Sequence, residues 1–280
     1  MTLDIDHLRG WIGREDSAAE TVTPELVHRF NATLDRQGDT APGAVAPLLI
    51  HFCLGQPAAP TAGLGEDGHP ARGGFLPPVP LPRRMWAGGG FTFHDDIRVG
   101  ERVTRRSRIL DVTVKEGRSG VLCFVTVEHR VDSDGRAVLT ERQDIVYRAA
   151  ETGGAKAPAT PPAAAPAGAQ SRRITASAPL LFRYSALTFN GHRIHYDTPY
   201  AREVEGYPGL IIHGPLQATL LAHLAADTRG ARPARFSFRS LSPIFDTADF
   251  TINAEPDGDA LKLWTARIGG PVAMEARAEW

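Results

Sequence analysis

The feature that most constrains the fold is a stretch poor in large side chains that divides the chain. Residues 149–170 read AAETGGAKAPATPPAAAPAGAQ and show no apolar periodicity. A stretch of small residues and proline has little surface to bury and cannot offset the entropy lost on ordering, so it is typical of a semi-rigid linker. A chain of 280 residues has room for about two domains. We therefore predict one domain over residues 1–148 and a second over residues 171–280.

The two halves also resemble each other. Residues 91–93 (FTF) align with residues 236–238 (FSF), and residues 29–32 (RFNA) align with residues 183–186 (RYSA). The spacing between the two matches differs between the halves, which is typical of duplicated domains whose loops have diverged.

Each half has the pattern of a helix followed by strands. In the second half, Gly214 and Pro215 form a helix start, because proline favours the first helical position. Leucines then recur at helical spacing and alanines fill the other faces, so we expect a buried helix. Alternating apolar runs predict strands at 234–240, 248–254, 260–267 and 271–280, and in the first half at 90–94, 101–115, 120–132 and 137–147. We predict an α+β fold, in which an antiparallel sheet surrounds one helix in each half.

Charge and composition exclude several classes of protein. The chain carries 32 acidic and 31 basic residues, a formal net charge of −1, which argues against nucleic acid as a partner. No run of 18 apolar residues predicts a membrane span, and the first residues lack the pattern of a secretory signal. The two cysteines, Cys53 and Cys123, cannot form a disulfide framework or a four-cysteine zinc site. We therefore expect a cytoplasmic protein that binds neither membranes nor a structural metal.

Polar side chains cluster in residues 188–197, TFNGHRIHYD, shortly before the buried helix. A histidine such as His195 can move a proton near neutral pH, and the amide of Asn190 can hold a water beside it. The amides at the helix start, near Gly214, can stabilise a developing oxyanion. This combination suits the addition or removal of water across a double bond next to a thioester carbonyl.

The same residues also allow structural interpretations. His192 and His195 beside Asp197 could be metal ligands, but no second cluster in the sequence has metal-ligand spacing, so we expect no metal. His213 stands at the helix start, where a structural hydrogen bond is the favoured role. For Asn190 and His195, the residue types alone leave catalysis and structure equally open.

The segment LTFNGHRIHYD at residues 187–197, followed by GLIIHGP at residues 209–215, resembles the MaoC-type (R)-specific enoyl-CoA hydratase family. This resemblance implies the hotdog fold, a curved antiparallel sheet around one long helix. It also implies that an acidic residue and a histidine act on the attacking water.

The resemblance assigns roles residue by residue. His195 aligns with the catalytic histidine, and Gly214 aligns with the glycine whose amide polarises the thioester carbonyl. Asn190 stands where the family has aspartate, and His192 stands where it has asparagine. The resemblance therefore implies a catalytic set of His195, Asn190 and His192, in which the residue that assists His195 differs from the family pattern, since an amide cannot accept a proton.

A closer resemblance, to the mesaconyl-C4-CoA (3-methylfumaryl-CoA) hydratases, covers nearly the whole chain apart from the linker. It is carried by FNGHRIHYD and, in the first half, by GGFLPPVP, RRMW and VTVKEG. It implies a double hotdog whose first half is a degenerate, dehydratase-like domain, and a CoA thioester as substrate with no further cofactor. A free substrate carboxylate would require a guanidinium, for which Arg193, Arg83 and Arg84 are candidates that the sequence does not rank.

Several alternatives remain within and beyond this class. An itaconyl-CoA hydratase and an (R)-3-hydroxyacyl-thioester dehydratase would use the same site. A hotdog thioesterase would release free CoA, although it normally needs a carboxylate where Asn190 stands, and a non-catalytic acyl-CoA-binding subunit would bind without turnover. The sequence leaves open whether two chains form a homodimer.

Overall fold

The computed structural model describes residues 3–117, 120–149 and 163–280. Its helices are α1 (Ile5–Arg9), α2 (Pro24–Thr33), α3 (Ala178–Leu187) and α4 (Gly214–Arg229). Its strands are β1 (Glu15–Thr21), β2 (Arg83–Phe93), β3 (Arg102–Gly117), β4 (Gly120–Ser133), β5 (Arg136–Arg148), β6 (Gln170–Ile174), β7 (Arg235–Ser240), β8 (Phe250–Asp257), β9 (Ala260–Arg267) and β10 (Val272–Glu279). Residues 150–162 of the predicted linker lie outside the described residues, so the domain boundary stays a prediction.

All these strands form one antiparallel sheet in the order β1-β3-β4-β5-β2-β7-β10-β9-β8-β6. The strands of the first half lie on one side and those of the second half on the other, in mirrored order. At the junction β2 pairs with β7, and Phe91 lies opposite Phe236. These two residues begin the segments that align in the sequence, and the other aligned pair falls on α2 and α3, which contact each other. The sequence repeat thus corresponds to an approximate twofold relation between the halves.

Helix α4 forms where the sequence predicts it. Pro215 occupies the first turn, and Gly230 ends the helix with a left-handed φ of 70°, a conformation that glycine adopts at little cost. Every residue from Leu216 to Ala225 is buried, because strands β7 to β10 surround the helix. None of the described helices is long and apolar enough to cross a membrane.

The first half differs from the predicted arrangement at its centre. In the second half, α4 follows an isolated bridge between Ile211 and Phe245, and the matching bridge in the first half joins Val45 to Arg98. There the chain forms only a 3-10 helix, Ile50–Cys53. Leu49 before it has a left-handed φ of 63°, which prevents a regular helix from starting earlier. The α+β prediction is confirmed, but within the described residues the long central helix occurs in the second half alone.

The first half also contains a long loop. After the 3-10 helix, the chain runs without a strand until β2 begins at Arg83. Part of this loop crosses to the second half, where Arg193 donates its backbone N–H to the Asp67 carbonyl oxygen at 2.9 Å. The loop therefore brings first-half residues to the polar cluster that the sequence singles out.

Candidate active site

Asn190 shapes the turn that carries the polar cluster. Its backbone N–H donates to the Ser185 carbonyl oxygen at 2.8 Å at the end of α3. Its side-chain Oδ1 accepts the backbone N–H of His192 at 3.0 Å, which is the geometry of an Asx turn. Because Oδ1 is occupied in this way, the amide nitrogen of Asn190 is the group that remains to hold a water or substrate oxygen.

His195 is held in one tautomer by the backbone. Its Nδ1–H donates to the Ile211 carbonyl oxygen at 2.7 Å, so the lone pair resides on Nε2. Burial lowers the pKa of His195 to about 4, because a charged imidazolium is poorly solvated there. His195 is therefore a neutral imidazole at physiological pH, with one nitrogen able to accept a proton.

His213 stacks on His195 at the start of α4. The two ring centroids lie 3.7 Å apart with an interplanar angle of 20°. Ser185 Oγ lies 2.8 Å from His213 Nε2, as the structural role predicted for this residue requires. His213 Nδ1 is buried and has no hydrogen-bond partner among the described residues. Because burial holds the pKa of His213 well below its usual value, the stacked pair carries no charge.

Gly214 is the first residue of α4 and lies against Trp86 of β2. A Cβ atom added to Gly214 would lie 3.0 Å from Cε3 of Trp86, closer than an ordinary contact. The absence of a side chain thus lets the indole cover the helix N-terminus, where backbone N–H groups have no partner within the helix. Because His213 immediately precedes Gly214, the His195 ring and this helix start share one site.

The structure also reveals two site residues that sequence reasoning missed. His69 lies in the long loop of the first half, with its ring centroid 4.2 Å from that of His192. Asp67 Oδ2 lies 3.0 Å from His69 Nδ1. The sequence signal was the Asp-Gly-His string inside residues 55–90, but local pattern does not reveal contacts between distant segments.

The three candidate arginines have different partners. Arg83 forms an ion pair with Glu205 at 3.2 Å, and Arg193 forms one with Asp197 at 2.8 Å. Arg84 lies opposite Tyr147 in the sheet, and its charge lowers the pKa values of His69 and His192, each already lowered by burial. Among the described residues, no carboxylate forms an ion pair with Arg84. Of the three, Arg84 has its charge available for a ligand.

The sequence suggests His192, His195 and Asp197 as possible metal ligands, but the structure groups a different set of side chains. Asp197 accepts hydrogen bonds from the Arg193 side chain and from the backbone of Tyr200, so it does not join His192 and His195. Asp67, His69 and His192 each offer one atom, and these atoms lie within 4.8 Å of one another. The sequence did not anticipate this second cluster, because its members lie far apart along the chain.

Known proteins share the fold of this chain over nearly its full length. A double-hotdog protein of Mycobacterium tuberculosis superposes with a TM-score of 0.60 and 14% identity, covering 95% of both chains. A MaoC-like dehydratase of Phytophthora capsici superposes with a TM-score of 0.70 and 14% identity, covering 99% of both. The predicted double hotdog is therefore confirmed, and the chain has the fold of the MaoC-like dehydratases.

Sequence comparison identifies the family. Residues 49–246 match the family hydroxyacyl-thioester dehydratase type 2. The mesaconyl-C(4)-CoA hydratase of Chloroflexus aurantiacus is 44% identical over 273 residues, which is 96% of this chain and 96% of that one. The chain thus belongs to the hydroxyacyl-thioester dehydratase type 2 family, as the resemblance to MaoC-type enzymes indicated.

Proposed function

We propose that the protein adds water reversibly across the double bond of mesaconyl-C4-CoA (3-methylfumaryl-CoA) to give citramalyl-CoA. The observation that carries the chemistry is His195, a buried neutral imidazole with a free Nε2 beside the N-terminus of α4. The choice of substrate is supported by the Chloroflexus hydratase, which is 44% identical to this chain over 273 residues.

In this mechanism the proton and the hydroxide of one water add to the two carbons of the double bond. His195 Nε2 takes a proton from a water held by Asn190 and His192, and the hydroxide adds to the β-carbon. The π electrons move toward the thioester oxygen, where the Gly214 amide stabilises the enolate. The proton then passes to the α-carbon and regenerates neutral His195. No cofactor takes part, since CoA belongs to the substrate.

Arg84 is the arginine best suited to the free carboxylate of this substrate. Arg83 and Arg193 are already neutralised by carboxylates of the chain itself. Arg84 lies on β2 two residues from Trp86, which covers the helix start, and its charge acts on His192. A guanidinium can bind a carboxylate through two parallel hydrogen bonds and so orient the double bond.

The test is a hydration assay with a matched variant. Loss of enoyl-thioester absorbance should be fast with mesaconyl-C4-CoA, slower with itaconyl-CoA and crotonyl-CoA, and free of thiol release. His195→Ala should abolish it, whereas His28→Ala, which removes an exposed histidine of α2, should leave the rate within about threefold. Preference for crotonyl-CoA or longer chains would contradict the substrate. Thiol release would indicate a thioesterase, and binding without turnover would indicate an acyl-CoA-binding subunit.

We also propose a cytoplasmic location and no stable partner other than a second copy of this chain. The double hotdog already contains within one chain the paired halves of the sheet. Sedimentation of the purified protein distinguishes a monomer from the homodimer that the sequence left open.

A further inference from the structure

Asn190 and His192 place no negative charge next to the proposed base, His195. Asn190 cannot become charged, and when His195 takes a proton, an imidazolium forms in a buried site. Burial and the neighbouring His69 both lower the pKa of His195, so they oppose that charge. In a poorly solvated site, a nearby carboxylate would stabilise the imidazolium strongly.

The loop of the first half places a carboxylate at this point. The negative charge of Asp67 acts to raise the pKa of His192, against the larger lowering by burial and by the neighbouring positive charges. Although burial opposes ionisation of Asp67, hydrogen bonds from His69 lower the pKa of the Asp67 carboxyl well below its usual value. Asp67 is therefore charged at every pH at which the protein is expected to work.

This loop is fixed by close backbone packing. A Cβ atom on Gly68 would lie 2.0 Å from the Gly191 carbonyl oxygen, and one on Gly191 would lie 2.7 Å from the Gly68 carbonyl oxygen. Arg193 also donates from its side chain to the Glu66 carbonyl oxygen at 3.1 Å. Two glycines that face each other thus let Asp67 and His69 approach the motif.

Asp67 holds His69 in one orientation. Asp67 Oδ1 accepts the backbone N–H of His69, and Asp67 Oδ2 accepts its Nδ1–H, both at 3.0 Å. The ring of His69 contacts that of His192, whose centroid lies 5.4 Å from that of His195. A carboxylate and two imidazoles therefore form a continuous series that ends at the proposed base.

We propose that Asp67 and His69, from the first half, complete the catalytic site of the second half. They are positioning residues: they orient His192 and supply the negative charge that stabilises the imidazolium formed on His195. The water proton moves to His195 and then to the α-carbon. Asp67 and His69 therefore keep the same charge at the start and at the end of the reaction. This inference rests on the proposed hydratase function and names the group that compensates for Asn190.

The same side chains suit a divalent cation less well. Both oxygens of Asp67 already accept hydrogen bonds from His69. Besides burial, Arg84 and Arg72 lower the pKa of His69, so two positive charges act where a cation would bind. The surroundings favour a charged carboxylate with neutral imidazoles over a bound metal.

Kinetics of matched variants test the proposal. Asp67→Asn and His69→Gln should each lower kcat on the order of 100-fold and leave KM within about threefold. Glu66→Gln removes a charge from the adjacent, exposed position of the same loop and should keep the wild-type rate. In the Asp67→Asn background, Asn190→Asp should recover about tenfold in kcat, because it returns a carboxylate to the site.

The pH dependence separates this role from a structural one. The titratable groups around His195 are His213, His192 and His69, and Asp67 is hydrogen-bonded to His69. Loss of the Asp67 charge lowers the stability of an imidazolium in this cluster. The acid limb of kcat/KM should therefore move to lower pH in Asp67→Asn. The His195 ring resonances, followed by NMR without substrate, should show the same downward shift in pKa.

Three results would overturn the proposal. The first is wild-type kcat in Asp67→Asn. The second is a loss of kcat that comes with a matching loss of thermal stability while the His195 titration is unchanged. The third is activity that a chelator abolishes and zinc restores. If the wild-type protein does not hydrate mesaconyl-C4-CoA, the proposed function fails, and the NMR titration still decides the role of Asp67.

Discussion

Individual residues of this protein owe their roles to what surrounds them more than to their type. Arg83, Arg84 and Arg193 are equal candidates in the sequence, but ion pairs with Glu205 and Asp197 occupy two of them. Arg83 and Glu205 meet only in the folded chain, so the sequence cannot reveal their pair, whereas Arg193 and Asp197 are four residues apart. In contrast, Asn190, His192, His195 and Gly214 were proposed from their local string, and the structure brings them together. Their catalytic roles stay predictions.

We expect Arg84→Lys to raise KM for mesaconyl-C4-CoA roughly 10- to 100-fold, since a lysine cannot make the paired hydrogen bonds to a carboxylate. Crotonyl-CoA has no free carboxylate, so its KM should change little. Steady-state kinetics on both thioesters provide the measurement. Arg83→Lys is the matched control, and an equal effect of both variants on mesaconyl-C4-CoA would contradict the assignment.

At the scale of elements, the sequence predicts the buried parts and misses the exposed ones. Helix α4 begins at the predicted Gly214, because glycine, proline and regularly spaced leucines leave a clear signal. Strands β1 and β6 at the sheet edges were not predicted, since their residues are almost all exposed and show no apolar alternation. The docked loop around Gly68 was missed for a related reason: close backbone contact leaves no hydrophobic pattern.

The loop contact gives a steric prediction. Gly68→Ala should release the loop and lower kcat at least about tenfold, because the added Cβ would lie 2.0 Å from a backbone oxygen. Gly73→Ala is the control: it has a similar φ of 89°, against 84° at Gly68, but its Cβ would meet nothing closer than 3.7 Å. The assay is hydration by each variant, and equal rates would show that the contact is dispensable.

A buried hydrogen bond between two polar side chains gives a prediction about the stability of the first half. Glu141 of β5 lies 3.1 Å from His51 of the 3-10 helix, and both side chains are almost fully buried. Glu141→Ala leaves the buried His51 ring without its hydrogen-bond partner and should reduce the free energy of unfolding by about 1–3 kcal/mol. Glu275→Ala breaks the exposed pair with Arg239 and should cost less than about 1 kcal/mol. Urea denaturation measures both; similar losses would contradict the importance of burial.

At the scale of the whole molecule, buried histidines couple folding to pH. Burial lowers the pKa values of His195 and His223 to about 4 from an ordinary value of 6.5. The unfolded chain therefore binds protons that the folded chain does not between these limits. The stability that each histidine contributes is complete above pH 6.5 and is lost as the pH falls toward 4, by up to about 1.4 kcal/mol per pH unit.

We therefore expect the urea midpoint to fall steeply between pH 6.5 and 5. His223→Gln should flatten this fall, because glutamine does not titrate and can still donate to the Leu48 carbonyl oxygen that His223 contacts at 3.1 Å. Denaturation curves at several pH values provide the test. A slope in this variant equal to that of the wild type would show that His223 does not titrate on unfolding.

The backbone pairing of β2 with β7 also has an evolutionary consequence. In a dimer of identical subunits, each substitution is inherited in both copies, so neither copy can specialise. Here the two halves are translated as one polypeptide and yet mutate separately. The first half carries the Asp67 loop and, within its described residues, no long central helix, whereas the second half carries that helix and the His195 motif. A single chain can therefore give its two halves different tasks, which a dimer of identical subunits cannot do.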